Sequence, residues 1–188
     1  MRRLSVVISI ILLLCLPAAQ RSQAQGAAER VYLRPTIETY TPAEKRLFLP
    51  YLDEARKAAD KGVELLAAGK IDELYQGVHP TLKKLASPEQ FREAMEKFEQ
   101  LSEKPVSYEY RNQALIYPND SSSMADMSRA QSQVWYAVKS EARKNSNLFL
   151  IVKTARIGEK HSIILFDAVN YGGELPPWLR YPNAPNKP

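Results

Sequence analysis

Cysteine occurs once in this chain, at Cys15, and histidine only at His79 and His161. A zinc site needs several Cys or His ligands at short spacings, and no such set exists here. The 7 glycines form no phosphate-binding loop, and no Gly-x-Ser-x-Gly turn occurs. These absences argue against the common metal-dependent, nucleotide-dependent and serine-hydrolase chemistries, and the residues call for neither a metal nor a cofactor.

A run long enough to cross a bilayer is also lacking, since that takes about 20 apolar residues. The apolar run from Val6 to Leu16 is shorter; it follows Arg2 and Arg3 and ends at Pro17. A charged start, a short apolar centre and a small-residue exit are the parts of a secretory leader. Ser22 and Ala24 supply the small side chains of a cleavage site, so residues 1–24 are expected to be a signal peptide. Cys15 leaves with it. As a lipoprotein acceptor Cys15 would need a preceding Gly or Ala, and Leu14 stands there. The exported chain then has no cysteine and no disulfide, and its core alone must hold it. Removing Arg2, Arg3 and Arg21 from the 26 basic residues leaves 23 against 21 acidic ones. That near balance gives no reason to expect nucleic acid or an anionic membrane as partner. The expected location is periplasmic or secreted, with no stable membrane span after cleavage.

Residues 25–41 lack a sustained period and read as an N-terminal arm, 42–171 as a single domain, and 172–188 as a proline-rich tail. Thr41-Pro42-Ala43-Glu44 has the form of a capping box, with proline at the first helical position. Pro50 is expected to break or kink the helix that this box opens. Leu52, Ala55, Ala59, Val63 and Leu66 keep helical spacing up to Gly69, and a short helix is expected from Ile71 to Val78. Ser87-Pro88-Glu89-Gln90 opens another helix. Phe91, Met95 and Phe98 fall on one side of it, and Arg92, Glu93, Glu96 and Lys97 on the other. After Pro105 the apolar period becomes that of strands. Tyr108 and Tyr110 alternate with polar neighbours, and Val134, Tyr136 and Val138 alternate with Trp135, Ala137 and Lys139. Leu148 to Ala155 and Ile163 to Val169 are nearly all apolar, and Ile157-Gly158-Glu159-Lys160 reads as the hairpin between them. Helices followed by strands define an α+β class: three N-terminal helices packed on a curved, antiparallel four-stranded sheet.

Gly69-Lys70, Leu74-Tyr75, His79-Pro80, Leu82-Lys83 and Ser87-Pro88-Glu89-Gln90-Phe91 follow in an order that resembles the helical half of small exported bacterial domains of unknown function. Those domains share the cystatin-like cone of the nuclear transport factor two superfamily. In them a helix with an aromatic residue is followed by a proline turn, a Ser-x-Glu-Gln helix and then four strands. The resemblance covers residues 52–170 approximately, the strand half by pattern only. It implies a pocket between helices and sheet, which in some relatives holds steroids, epoxides or polyketides. In others the sheet is a docking surface. Relatives with isomerase or dehydratase activity use a pocket carboxylate as the base.

Each candidate residue has competing roles. His79 precedes Pro80, which biases it toward extended backbone, so it is expected to end the short helix rather than to act as a base. His161 and Asp167 share strand parity with Ile163 and Leu165, which would place them on one face, roughly 20 Å apart and out of hydrogen-bonding reach of each other. Asp167 is either a pocket base in an otherwise apolar strand or a carboxylate on a solvated face or strand end. Tyr108, Tyr110 and Tyr136, with Trp135, either line a site for an apolar or aromatic ligand or fill a core. Asn119-Asp120-Ser121 fits an N-glycosylation acceptor in a loop. Pro177-Trp178 resembles the second hairpin wedge of cystatin protease inhibitors, whose Gln-x-Val-x-Gly companion is missing.

The leading expectation is an exported, non-enzymatic domain that engages a small apolar ligand or an envelope protein through its pocket or sheet; a homodimer through the sheet is one such partnership. The alternative is an isomerase, dehydratase or hydrolase-type pocket enzyme with Asp167 as base on a small hydrophobic substrate. N-terminal sequencing of the exported protein is expected to begin at Gln25. Recovery of Met1, or of a lipid on Cys15, would contradict the leader assignment.

Overall fold

The structure is a computed structural model that describes residues 32–34, 41–103, 105, 107–117, 127, 130–141, 147–171 and 175. The leader with Cys15, the cleavage site after Ala24, the Asn119-Asp120-Ser121 sequon, Gly172-Gly173 and the prolines of the tail lie outside the described residues.

Thr41 caps the first helix, α1 (Pro42–Ala67). Its Oγ1 accepts from the Glu44 amide, and the Glu44 carboxylate accepts from the Thr41 amide. The expected break at Pro50 does not occur, and the helix runs through it. An interior proline removes one helical hydrogen bond, here the one that the Arg46 carbonyl would accept, at a cost of about 3 kcal/mol. Arg46, Leu49 and Pro50 are all exposed, so that carbonyl faces water. On the inner side Phe48, Tyr51, Leu52 and Ala55 pack with Leu115 and Ala130, and Ala59, Val63 and Leu66 continue the stripe into the main core. Burial contributes about 1.5–3 kcal/mol for each large apolar side chain, so contacts on both sides of the proline outweigh its cost.

Gly69, at φ 67°, supplies the left-handed turn after α1. Helix α2 (Ile71–Gly77) follows, then α3 (Pro80–Leu85) and α4 (Pro88–Leu101). The count is four helices among the described residues, because the expected proline turn is itself a short helix. His79 is corrected accordingly. It does not end α2, whose C-terminal cap is Val78; it caps the start of α3, where its Nδ1 accepts from the Thr81 amide at 3.0 Å. Its own amide donates to the Ile163 carbonyl at 2.8 Å and so ties this turn to the sheet. Ser87 and Gln90 form the expected capping box of α4.

Four long strands make an antiparallel sheet in chain order: β2 (Ser107–Tyr117), β3 (Gln131–Lys139), β4 (Leu148–Ile157) and β5 (Lys160–Asn170). A three-residue strand, β1 (Tyr32–Arg34), lies within the segment expected to be a featureless arm and pairs antiparallel with Leu115 to Tyr117 at the sheet edge. Gly158, at φ 58°, makes the hairpin between β4 and β5.

Two register shifts decide which side chains face the helices. In β2, Tyr110 pairs with Tyr136 but Asn112 with Trp135, so Arg111 is an extra residue. In β5, Thr154 pairs with Ile163 but Lys153 with Leu165, so Ile164 is extra. Each extra residue inverts the alternation of the strand beyond it. Ile163, Phe166 and Ala168 therefore all join the core beneath the helices, with Val134, Leu150, Leu82, Phe91 and Phe98. A second apolar layer, made of Ala114, Trp135, Ala137, Phe149, Ile151 and Val169, occupies the opposite face.

Phe98 is 1% exposed, whereas the Lys97 side chain is 44% exposed and pairs with Glu93 at 2.6 Å. Phe98→Ala is expected to cost about 3–5 kcal/mol and Lys97→Ala well under about 1 kcal/mol, as read from urea melts. Equal losses would contradict the assigned helix face.

Candidate functional site

One turn separates Arg56 from Asp60 on α1, so both side chains leave the helix on one side, beside the buried Ala55 and Ala59. The Arg56 Nε donates to Asp60 Oδ1 at 3.2 Å and Oδ2 at 3.0 Å. Across the gap to the sheet, the Tyr136 hydroxyl donates to the same Oδ1 at 2.6 Å. The Arg56 guanidinium carbon lies 3.3 Å from the centre of the Tyr110 ring, and that ring meets Tyr136 edge-on at 6.4 Å. The register Tyr110↔Tyr136 places the rings side by side on β2 and β3, just before the bulge at Arg111.

The cluster combines a buried floor and a wet rim. Tyr136 is buried, while the Arg56 and Asp60 side chains are 34% and 39% exposed. Their ion pair is therefore worth only about 0.3–0.5 kcal/mol. The hydrogen bond from Tyr136 to a charged acceptor contributes more, about 1.5–3 kcal/mol. Burial raises the Tyr136 phenol well above its ordinary value, and the Asp60 bond raises it further. Burial also raises Tyr110, against the lowering effect of Arg56. Both phenols are thus neutral near neutral pH. Asp60 already accepts from Arg56 on both oxygens and from Tyr136 on one, so most of its acceptor capacity is committed within the cluster. The arrangement suits recognition better than proton transfer.

The expected tyrosine set is brought together only in part. Tyr108, on the same face, stacks on Phe98 at 6.4 Å and belongs to the packing around the core. Trp135 points to the opposite face with Phe149 and Ile151. Asp167 is corrected in the same way. Parity alone would set it beside Ile163, but the bulge at Ile164 turns it to the face away from α1, opposite Ile151. Burial raises its carboxyl, while the Ala168 amide, bonded at 2.8 Å, and Lys153 lower it. Tyr108, Tyr110 and Tyr136 lie on the other face of the sheet. Arg56 and Asp60 escape a reading of the residues alone; their only sequence signal is an i,i+4 charge pair, which exposed helix faces carry routinely.

His161 remains on the helix side, where its side chain is 1% exposed. The Tyr51 ring stands edge-on to it at 4.3 Å, and Glu54 Oε2 is 3.9 Å from its Nε2. Neither ring nitrogen has a hydrogen-bond partner, nor does the buried Oγ1 of Thr154 on the neighbouring strand. Among the described residues no group of His, Cys, Asp or Glu could hold a metal ion, and no helix is long and apolar enough to cross a membrane. The fold and site define an α+β domain with a partly exposed Arg–Asp–Tyr–Tyr cluster between α1 and the sheet. Comparison with protein-family models, curated proteins and solved structures finds no match.

Burial lowers the His161 pKa from its ordinary 6.5; Glu54 on α1 opposes that shift and Arg156 on β4 adds to it. A histidine depressed in the folded state contributes stability above the unfolded pKa and loses it as pH falls. Stability is therefore expected to drop as pH falls below about 6.5, by at most about 1.4 kcal/mol per pH unit for one proton. His79, also lowered by burial, acts with the same sign, so the informative comparison is with His161→Phe. That variant should flatten the dependence without loss of stability at pH 7.5, since it removes unpaired buried nitrogens. An unchanged pH profile in urea melts would contradict the assignment.

Proposed function

We propose that this chain is an exported, non-enzymatic binding domain with the cystatin-like cone of the nuclear transport factor two superfamily. In this reading it engages its target at the edge where α1 meets β2 and β3. The observation that carries the proposal is the Asp60 carboxylate, engaged by Arg56 and Tyr136, beside a half-buried Tyr110 ring stacked under Arg56. Such a group holds charge, aromatic surface and hydrogen-bonding capacity in a fixed arrangement. Tyr and Arg are the side chains most often found at the energetic centres of protein interfaces, so another envelope protein fits better than a small apolar ligand. Export rests on the leader pattern of residues 1–24.

The alternative enzyme draws on the raised carboxyl of Asp167. Its support weakens because Asp167 is on the face away from Tyr108, Tyr110 and Tyr136. Native mass spectrometry of the protein purified from its own host tests the binding reading. The wild-type chain should carry a bound species, and Arg56→Ala should reduce its occupancy about tenfold or more, as for a side chain worth at least about 1.4 kcal/mol. Arg56→Ala should melt within about 1 kcal/mol of the wild type, because only an exposed pair and a ring contact are lost. Undiminished occupancy in Arg56→Ala would overturn the assignment of the site.

A further inference from the structure

Strand β3 is buried on both faces from Ser132 to Val138, yet α1 to α4 cover only one of them. On the helix-free face Trp135, Ala137, Phe149, Ile151 and Val169 are all buried, Trp135 to 2% exposure. A layer of this kind, on a chain expected to have no disulfide, needs a cover. Among the described residues, the side chains packed on it from outside the sheet are Tyr171 and Leu175, just beyond the end of β5. The Tyr171 ring meets Phe149 edge-on at 5.7 Å, and its amide donates to the Asn147 carbonyl at 3.0 Å. Continued straight, the chain would carry Leu175 about 16 Å beyond the strand end. Its contact with the layer places Leu175 over the sheet instead.

The geometry points to an occupant for the whole face. We propose that this chain's own C-terminal segment, Tyr171 to Leu179, is the resident cover of the helix-free face, with Trp178 as a third anchor after Tyr171 and Leu175. From β5 to β2 is three inter-strand spacings of about 4.8 Å, or about 14 Å. A polyproline segment advances about 3.1 Å per residue, so Tyr171 to Trp178 spans the sheet with length to spare. Proline restricts the backbone of the unbound chain, so the pair Pro176-Pro177 lowers the entropy lost on docking. The inference goes beyond the Arg56 site and does not rest on it. It makes the helix-free face an intramolecular groove, closed to a partner or a second copy while the tail is seated.

Trp135 and Trp178 are the only tryptophans, so Trp178→Phe and Trp178→Asp both leave Trp135 as the sole reporter. In the full chain, acrylamide should quench Trp135 weakly in Trp178→Phe and about threefold more strongly in Trp178→Asp or in the double variant Trp178→Phe/Leu175→Asp, as an interior ring becomes open to solvent. Far-UV circular dichroism should stay unchanged in all three. Equal protection of Trp135 in all three would overturn the proposal. Should an aspartate variant fail to fold, the unaltered chain still decides the matter. Nuclear Overhauser contacts from the Trp178 indole to Ala137 or Ile151 within one molecule support the docked tail. Contacts that arise only between differently labelled copies, or none to this face, overturn it.

Discussion

The hydrogen bond from the His79 amide to the Ile163 carbonyl, 2.8 Å long, sits where β5 gains its extra residue. That point couples the helical layer to the sheet. The extra residue, Ile164, lets Ile163 and Phe166 face the same way although an odd number of positions separates them. Without it, the second half of β5 would turn Asp167 toward the helices and Phe166 away from them. A lone carboxylate under Phe91 and Leu82 would cost several kcal/mol of desolvation, and the core would lose its Phe91–Phe166 edge contact at 6.1 Å. The same turn carries the His79 cap of α3, so the placement of Leu82 in the core depends on it as well.

The dependence on that one turn explains which features can be read from residues alone. Both capping boxes, at Thr41 and Ser87, depend on local chemistry, and both stand in the structure with the expected bonds. The apolar stripe of α4 and the apolar runs of β4 and β5 likewise report a period that needs no tertiary knowledge. The bulge in β5 is not legible, because Ile164 inside an apolar run looks like any other apolar residue. Pro50 leaves the helix unbroken for the opposite reason. Its local cost is real, but Phe48 before it and Tyr51 and Ala55 after it are buried by partners more than 50 positions away in sequence, such as Leu115 and Ala130. Sequence order ties His79 to the helix behind it, whereas its side chain serves the helix ahead.

The Arg56–Asp60–Tyr110–Tyr136 cluster shows the same limit at the level of a site. Tyr110 and Tyr136 can be placed on one face from alternation, since both precede any register shift on their paired segment. Their chemistry depends on what α1 lays across them, and a charge pair in a helix gives no hint that a phenol will reach it. Once assembled, the parts constrain one another. The Tyr136 hydroxyl is too buried to ionise and donates to Asp60; Asp60 orients Arg56; Arg56 lies flat on Tyr110. Preorganised groups of this sort lose little freedom when a partner arrives, which is the property that binding surfaces need.

The two faces of the sheet pose different physical problems. The helix side is closed by large, fully buried side chains, and its conspicuous polar defect among the described residues is His161 with the nearby Thr154, both lacking hydrogen-bond partners. Such a defect is tolerable only while the imidazole stays neutral, which makes this side sensitive to acid. The other side carries no helix among the described residues, and its apolar layer is sealed from the chain's own C-terminal direction by Tyr171 and Leu175. A domain expected to hold no cross-link cannot leave either face open, because folding free energies of about 5–15 kcal/mol are small beside the burial of several aromatic side chains. Covering the second face is therefore as much a condition of the fold as packing the first. It also leaves the rim between α1 and the β2–β3 edge as the place where charged and aromatic groups meet solvent without exposing the core.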